Sequence, residues 1–302
     1  MQKAQPSSRR RLSLRRTGGV AVILVFVILV SLDRNLIITR PIAGILTGGA
    51  AILFFGLLDD IKNLNWKWQL LFQIIIALIA ISFGVRSDYV ANPLGGVIPL
   101  TNPIVYTILY TLYFILFLNS LNWLDGTDGV ASGVTLASLA TIFFLSFKPE
   151  VNQPAVAILA AIAGGATLGF LVFNFPPARI FAGTGGAWFF GFILASLSIF
   201  AGAKIATVMM AALIPILDFG RVTWERWRSG GSIFKGDNRH LHYQLVERGW
   251  SEQKIFWSYF SASILIGILA LHLNAMGKLA IMGIVAVAYF YFISFFQVRH
   301  DQ

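Results

Sequence analysis

The chain has 302 residues, of which 57% are hydrophobic and only 12% are charged. This apolar share exceeds that of an ordinary globular domain and predicts an integral membrane protein. The absence of cysteine excludes disulfides, thiolate metal sites and cysteine nucleophiles. The net charge of +10 would suggest nucleic acid in a soluble protein, but in a membrane protein it indicates orientation and attraction to anionic lipid, so no nucleic-acid partner is expected.

The first predicted elements are a basic arm at residues 1–17 and an apolar run directly after it. That run ends at Asp33-Arg34 without a small-residue cleavage site, so we expect an uncleaved span. Crossing a bilayer core about 30 Å thick takes roughly 20 helical residues. The chain is therefore predicted to be all-α and polytopic, one transmembrane domain at 18–298 with about ten helices, at 18–32, 42–58, 68–84, 103–118, 130–147, 154–173, 187–200, 205–219, 255–273 and 279–296.

The basic residues predict the orientation of these helices. If the spans alternate and the N-terminus lies inside, 17 of the 23 Lys and Arg residues fall on the inner side. The positive-inside rule then places both termini in the cytoplasm of a plasma-membrane protein. The same face receives 59–68, 119–129, 174–186 and a long loop at 221–254, so we expect the active site to be cytoplasmic.

The stretch 119–129 follows directly on an apolar helix and reads Asn-Ser-Leu-Asn-Trp-Leu-Asp-Gly-Thr-Asp-Gly. Its polar residues recur every three positions, which keeps neighbouring side chains within reach on a helix; they are Asn119, Asn122, Asp125 and Asp128. Taken alone, the pattern favours a helix cap followed by Asp-Gly turns. A second acidic pair, Asp59-Asp60, ends another apolar run and favours a functional interpretation.

These segments indicate phosphoryl-transfer chemistry. Carboxylates and amides suit a hard cation, Mg²⁺ or alternatively Mn²⁺, that shares its oxygen ligands with a substrate phosphate. The basic loop at 221–254 offers donors for phosphate or nucleotide, although a solvated charged surface is the alternative. For Asp218, near the end of a span, either an ion pair with Arg221 or support of the site stays open.

Four motifs occur in the order of a known family. They are Asp59-Asp60-Ile-Lys-Asn63, Asn122-Trp-Leu-Asp125-Gly-Thr-Asp128-Gly, Asn174-Phe-Pro-Pro-Ala-Arg179-Ile-Phe-Ala-Gly183 and Asp237-Asn-Arg239-His240-Leu-His242. With these motifs the chain resembles the polyprenyl-phosphate N-acetylhexosamine-1-phosphate transferases. The resemblance implies that a sugar 1-phosphate passes from a UDP-sugar to undecaprenyl or another polyprenyl phosphate with Mg²⁺, releasing UMP for cell-envelope glycan synthesis.

The resemblance also implies residue roles. Asp59 and Asp60 would orient or deprotonate the lipid phosphate. The metal would be held at Asn122, Asp125 and Asp128, and the two aspartates would also organise the substrate. The substrate-binding residues would be Asn63, Lys67, Asn119, Asn174, Arg179, Asp237, Arg239, His240 and His242. The His-Leu-His pattern favours UDP-N-acetylglucosamine or a related small sugar over the muramoyl-pentapeptide nucleotide.

Two departures keep other functions open. Thr184 stands where the family has a metal-binding aspartate, and Gln69 stands where many members have lysine. A hydroxyl is a far weaker Mg²⁺ ligand, so an inactive relative that binds polyprenyl phosphate or UDP-sugar is one alternative. A lipid transporter is another, although transport sites lie near the membrane midplane. A homodimer through small-residue helices is a further hypothesis without a clear motif.

Overall fold

A computed structural model describes residues 16–92, 94–201, 204–232 and 238–298, with side chains through residue 294. Most of the predicted basic arm at 1–17 and Asp237 lie outside these ranges. The described chain is all-α apart from one small hairpin, Tyr89–Ala91 (β1) and Val97–Pro99 (β2). Its helices are Gly18–Leu32 (α1), Arg40–Lys62 (α2), Trp66–Ser82 (α3), Pro103–Leu124 (α4), Val130–Ser146 (α5), Pro154–Asn174 (α6), Gly183–Phe200 (α7), Ile205–Ala211 (α8), Leu213–Arg228 (α9), Leu241–Glu247 (α10), Glu252–His272 (α11) and Ala275–Val298 (α12).

The prediction of an all-α polytopic membrane protein is confirmed. Within the described ranges, six helices are long and apolar enough to cross a bilayer, and a seventh span results if α8 and α9 are counted together. The apolar helices α1, α3 and α5 are shorter, with 15, 17 and 17 residues. At a rise of about 1.5 Å per residue these cover less than a core of about 30 Å. Each predicted run is helical, but the structure does not establish ten spans.

One predicted span is broken. The run 205–219 divides into α8 and α9, whose axes differ by 81°. Pro215 lies in the first turn of α9; it lacks the N–H that would bond the Ala211 carbonyl, and its ring would clash with that carbonyl in a continuous helix. α9 then continues to Arg228, so the first residues of the predicted 221–254 loop are helical.

The most buried helix is α7, which packs against α1, α2, α4 and α5. Two glycine pairs permit its close approach to α1 and α2. A Cβ on Gly19 would lie 2.3 Å from the backbone N of Gly186, and a Cβ on Gly56 would lie 2.3 Å from the Cα of Gly185. Side chains larger than hydrogen at these crossings would push the N-terminus of α7 away from the ends of α1 and α2.

The polar motifs lie on one face because the helices that carry them end or begin there. α2, α4 and α6 end at this face, whereas α3, α5, α7 and α11 begin at it. Contacts confirm the convergence: Gln253 at the start of α11 donates to the Pro176 carbonyl at 3.2 Å, and Gly18 donates to the Phe181 carbonyl at 3.1 Å. The hairpin connects the opposite ends of α3 and α4 and therefore lies on the other face.

Candidate active site

Asp59 lies on the last turn of α2, and its carboxylate is held by uncharged donors. Thr184 donates its hydroxyl to Oδ2 at 2.6 Å. Oδ1 accepts from the amide of Gln69 at 3.0 Å and from the backbone N–H of Leu64 at 3.1 Å. The two positions that depart from the family pattern, 69 and 184, therefore both contact Asp59, and they fix its orientation without adding charge.

Asp60 caps helix α7 from outside that helix. Its Oδ1 accepts from the backbone N of Thr184 at 3.0 Å, and the carboxylate also accepts from the backbone of Gly185. An anion at a helix N-terminus is stabilised by the helix dipole. Arg16 approaches the same carboxylate at 3.8 Å. The structure thus gives Asp60 a structural task that the resemblance does not imply.

Two asparagines of the 119–129 stretch have different surroundings. Asn119 and Gln73 exchange amide hydrogen bonds, with Asn119 donating at 2.8 Å and Gln73 at 3.2 Å. Asn119 is therefore occupied by a neighbouring helix. Asn122, one turn further along α4, is half-buried, and no described residue hydrogen-bonds its side chain. Asn122 is the better placed of the two to bind a ligand.

The loop between α4 and α5 is joined to the segment after α6. Asp128, which is buried, accepts from the backbone N of Ala178 at 2.8 Å through Oδ2. Asn174, also buried, accepts from the hydroxyl of Ser132 at 2.8 Å and donates to the Ile180 carbonyl at 2.9 Å. Asn174 therefore shapes the loop around Asp128 and is not itself exposed to a substrate.

The histidine motif packs on the same loop. A Cβ on Gly126 would lie 2.5 Å from Nε2 of His242, so only glycine permits this contact. The His240 and His242 rings are nearly parallel, with centroids 5.6 Å apart, and the edge of His240 meets Trp123 at 5.2 Å. The structure thus brings the motifs around Asp125 and His240 together, although they are more than 100 residues apart.

Asp218 and Arg221 form the ion pair that the sequence left open, at 2.9 Å, with both side chains buried. Asp218 also accepts from Nδ1 of His240 at 2.7 Å. Both interpretations of Asp218 therefore hold, since the ion pair lies directly behind the histidine motif. Arg221 is thereby excluded as a free phosphate ligand.

Several predicted substrate-binding residues lie at the rim of the site. Asn63 ends α2 in the left-handed conformation, and its side chain is exposed, as are those of Lys67 and Arg179. Arg239 is half-buried, and its carbonyl accepts from Arg221 at 2.5 Å. These residues surround the buried groups at 59, 128 and 240 on the same face.

The carboxylates form two sites. Asp59 and Asp60 meet the start of α7, whereas Asp125 and Asp128 lie in the next loop, and residues 178–184 connect the two. No group of three or more Asp, Glu or His side chains in the described ranges is arranged to hold a metal. Mg²⁺ is commonly held by one or two carboxylates together with substrate phosphates, and Oδ1 of Asp128 accepts no hydrogen bond from the described residues. The oxygen donors at Asn122, Asp125 and Asp128 therefore fit Mg²⁺ that shares its coordination with a substrate.

The sequence interpretation missed Gln73, Ser132 and Tyr289 as supporting residues. Tyr289 donates to Asp218 at 2.6 Å. Each of the three is a polar side chain inside an apolar helix, a feature that is rarely retained in a membrane without a partner. That signal was present in the sequence, but it did not identify the partners.

Several known proteins are similar to this chain in sequence. The profile of glycosyl transferase family 4 matches residues 42–202, which include both carboxylate sites. The decaprenyl-phosphate N-acetylglucosaminephosphotransferases of Mycobacterium tuberculosis and Mycobacterium leprae are each 30% identical over 271 residues, covering 80% of this chain and 67% and 68% of those proteins. A phospho-N-acetylmuramoyl-pentapeptide-transferase of Lactobacillus gasseri is 32% identical over 268 residues, covering 80% of this chain and 79% of that protein.

The family match ends at residue 202, but the contacts of Gly126 with His242 and of Trp123 with His240 extend the same site into the later histidine motif. The matched residues supply more than half of the chain, and the relatives align along most of its length. With its carboxylate loops in the matched region and its polar face assembled at the ends of apolar helices, this chain belongs to glycosyl transferase family 4.

Proposed function

We propose that this protein transfers an N-acetylhexosamine 1-phosphate from a UDP-sugar to undecaprenyl or another polyprenyl phosphate, releasing UMP. The supporting observation is the contact of the loop between α4 and α5, at residues 125–129, with both the 174–184 segment and the histidine motif. Carboxylates and a cationic loop are thereby assembled at one membrane face, where a lipid phosphate and a soluble nucleotide meet. Relatives named as N-acetylglucosaminephosphotransferases support the same reaction.

In this proposal the nucleophile is an oxygen of the lipid phosphate, so no protein nucleophile is needed. That oxygen attacks the β-phosphorus of the UDP-sugar, the bond to the bridging oxygen breaks, and UMP leaves. Asp59, held by Gln69 and Thr184, orients the lipid phosphate or accepts its proton. Arg179, Arg239 and the histidine motif surround the nucleotide, and Asn63 and Lys67 border the cleft.

A divalent cation, Mg²⁺ or Mn²⁺, would be held at Asn122, Asp125 and Asp128 and would neutralise charge on the transferring phosphate. Asp128 keeps one oxygen for this task while the other orients the loop through Ala178. Position 184 carries a hydroxyl where the family has a carboxylate, and that hydroxyl donates to Asp59. The metal therefore depends on the 122–128 residues in this chain.

The direct test is UMP release by purified protein given undecaprenyl phosphate, UDP-N-acetylglucosamine and Mg²⁺. We expect release that requires lipid and metal and that falls by orders of magnitude in Asp59→Asn, Asp125→Asn and Asn122→Ala, all still folded. Wild-type rates in these variants would remove the three residues from the mechanism.

Other outcomes identify the alternatives. Binding of UDP-sugar without UMP release, with release restored in Thr184→Asp, would indicate an inactive relative. No release with any UDP-sugar, together with movement of polyprenyl phosphate between leaflets, would indicate a lipid transporter. The relatives are named for two different sugars, N-acetylglucosamine and N-acetylmuramoyl-pentapeptide. UDP-N-acetylglucosamine and the muramoyl-pentapeptide nucleotide are therefore compared as donors. We expect the smaller nucleotide to react.

The proposal includes a plasma-membrane location with both termini and the active site in the cytoplasm, and a single domain at 18–298. It is supported by the excess of basic residues on the face that carries the site. UDP-sugars are cytoplasmic substrates, which agrees with that orientation. The hypothesis of a homodimer gains no support from the names of the relatives.

A further inference from the structure

Asp218 is a buried carboxylate that accepts hydrogen bonds through both of its oxygens. It lies in α9, and its side chain is 4% exposed. Oδ1 accepts from three donors: the guanidinium of Arg221 at 2.9 Å, the backbone N of Leu241 at 3.0 Å and the hydroxyl of Tyr289 at 2.6 Å. A buried carboxylate with a guanidinium and two further donors is stabilised as an anion.

The second oxygen of Asp218 then determines which nitrogen of the His240 ring donates to it. Oδ2 lies 2.7 Å from Nδ1 of that ring. An ionised carboxylate can only accept, so Nδ1 is the donor and carries a hydrogen. The ring keeps one other polar atom, Nε2, for which no described residue supplies a hydrogen-bond partner. Asp218 therefore fixes both the orientation of the imidazole and the nitrogen that remains available.

His240 is also fixed from its faces and edge. Trp123 meets the ring at 5.2 Å, His242 stacks on it, and His242 rests against Gly126. Gly126 lies in the loop that holds Asp125 and Asp128, and Trp123 lies at the end of α4 just before that loop. The free nitrogen thus belongs to the same site as the carboxylates, whereas Nδ1 points back to the buried ion pair.

The support of Asp218 extends to the last helix. Tyr289 of α12 donates to Asp218 and accepts from Nε of Arg221 at 3.0 Å. Arg221 in turn contacts Glu225 at 2.8 Å and the Arg239 carbonyl at 2.5 Å. One buried network therefore connects α9, α12 and the histidine motif.

We propose that Asp218 is a positioning residue for the transfer reaction, which holds His240 with Nδ1 protonated so that Nε2 faces the diphosphate of the nucleotide sugar, and that Tyr289 completes this arrangement from α12. With Nδ1 held by Asp218, a hydrogen on Nε2 would be donated to a phosphate oxygen as a charge-assisted hydrogen bond. This proposal rests on the proposed function. It adds two residues, 218 and 289, that lie behind the substrate site and act through His240.

A double-mutant cycle tests whether Asp218 acts through His240. An interaction worth about 1.5–3 kcal/mol corresponds to roughly 10- to 100-fold in kcat/KM. We expect Asp218→Asn to lose about that factor in the native background but less than about 3-fold more in His240→Ala, because the shared effect is then already lost. Equal losses in both backgrounds would show that Asp218 acts on folding or on another residue, and would overturn the proposal.

Two further variants keep the test decisive if Asp218→Asn folds poorly. Tyr289→Phe removes one donor from Asp218 without changing charge; we expect a loss of about 3- to 10-fold in kcat/KM that disappears in His240→Ala. Tyr259→Phe is the matched control, since its buried hydroxyl makes no hydrogen bond to the described residues. It should leave turnover unchanged. Equal effects of the two tyrosine variants would contradict the proposal.

A readout without turnover separates this proposal from the proposed function. The chain has four histidines, so ¹⁵N-histidine spectra of the full protein can be assigned by subtraction with His240→Gln. We expect a hydrogen on Nδ1 in the native protein and a changed Nδ1 signal in Asp218→Asn, because a neutral amide replaces the carboxylate that accepts from this nitrogen. If the His240 nitrogen signals are the same in both proteins, the proposal fails even if UMP is released. Absence of UMP release with these signals intact would overturn only the proposed reaction.

Discussion

At the scale of single residues, the surroundings of equivalent-looking side chains separate their tasks. Asp59 has both oxygens engaged by uncharged donors, and Asp60 caps α7. Asn119 is paired with Gln73, whereas Asn122 has no hydrogen-bond partner among the described residues. We infer from these differences which changes should affect turnover and which should affect folding.

The first prediction concerns Thr184. Thr184→Val keeps the shape but removes the hydroxyl that donates to Asp59 at 2.6 Å. Loss of a hydrogen bond to a charged group costs about 1.5–3 kcal/mol, so we expect kcat/KM for UMP release to fall by roughly 10- to 100-fold. Thr184→Ser retains the hydroxyl and should stay within about 3-fold of the native rate. Equal rates in the valine and serine variants would show that this contact does not matter for turnover.

The second prediction compares two asparagines on α4. Asn119→Ala leaves the amide of the buried Gln73 without its partner, which costs about 1–3 kcal/mol of folding free energy. Asn122→Ala removes no side-chain hydrogen bond to the described residues and should leave stability unchanged within about 0.5 kcal/mol while it lowers turnover. Thermal unfolding in detergent and UMP release, measured on both variants, check the contrast. The opposite pattern, with Asn122→Ala the less stable, would contradict these assignments.

At the scale of elements, the site depends on how closely α7 approaches its neighbours. The Gly56 and Gly185 backbones touch one turn before Asp59, so this crossing sets the distance between Asp59 and Thr184. Small residues permit such approaches between membrane helices. Not every glycine has this task, because Gly165 and Gly169 of α6 have no atom within 4 Å of an added Cβ.

Glycine substitutions test this difference. Gly56→Ala would place a methyl group 2.3 Å from the Gly185 Cα, so α2 and α7 must separate. We expect a loss of about 1–3 kcal/mol in stability from this overpacking, together with reduced UMP release. Gly165→Ala is the control and should be neutral or stabilising by up to about 1 kcal/mol, since alanine is the better helix former. Similar stability in the two variants would show that the crossing tolerates a methyl group.

Local sequence predicts where most helices lie, but it did not predict the break in the 205–219 run. Apolar runs predict the helices except α10, which lies in the predicted 221–254 loop. Asn102 and Asn65 cap α4 and α3, as such residues commonly do. The division of the 205–219 run at Pro215 was missed because hydropathy stays high across it. A proline in a long apolar run was the available signal.

At the scale of the whole molecule, the chain is a helical bundle with its polar motifs at one end. The opposite end carries the β1–β2 hairpin and Arg40, the first residue of α2. Along α2, Arg40 and Asp59 are 19 residues apart, or about 28 Å at 1.5 Å per residue. The two ends therefore lie near opposite surfaces of a membrane.

This separation gives a test of orientation. The chain contains no cysteine, so single cysteines report position without background. We expect Ser229→Cys, after α9, to be protected from a membrane-impermeant maleimide in intact cells, and Asn92→Cys, in the hairpin, to be labelled. Both should react after lysis. Labelling of Ser229→Cys in intact cells, with protection of Asn92→Cys, would reverse the proposed topology.

Hydropathy and residue type are local properties, and from them the sequence predicts a helical membrane protein, its apolar segments and the four motifs proposed to carry the chemistry. The partners of the polar side chains depend on the tertiary structure. Asp60 caps α7, Asn119 hydrogen-bonds Gln73, and Asp218 contacts Arg221, His240 and Tyr289. A buried polar group in a membrane protein needs a partner, but the partner comes from a distant helix, and packing alone selects it.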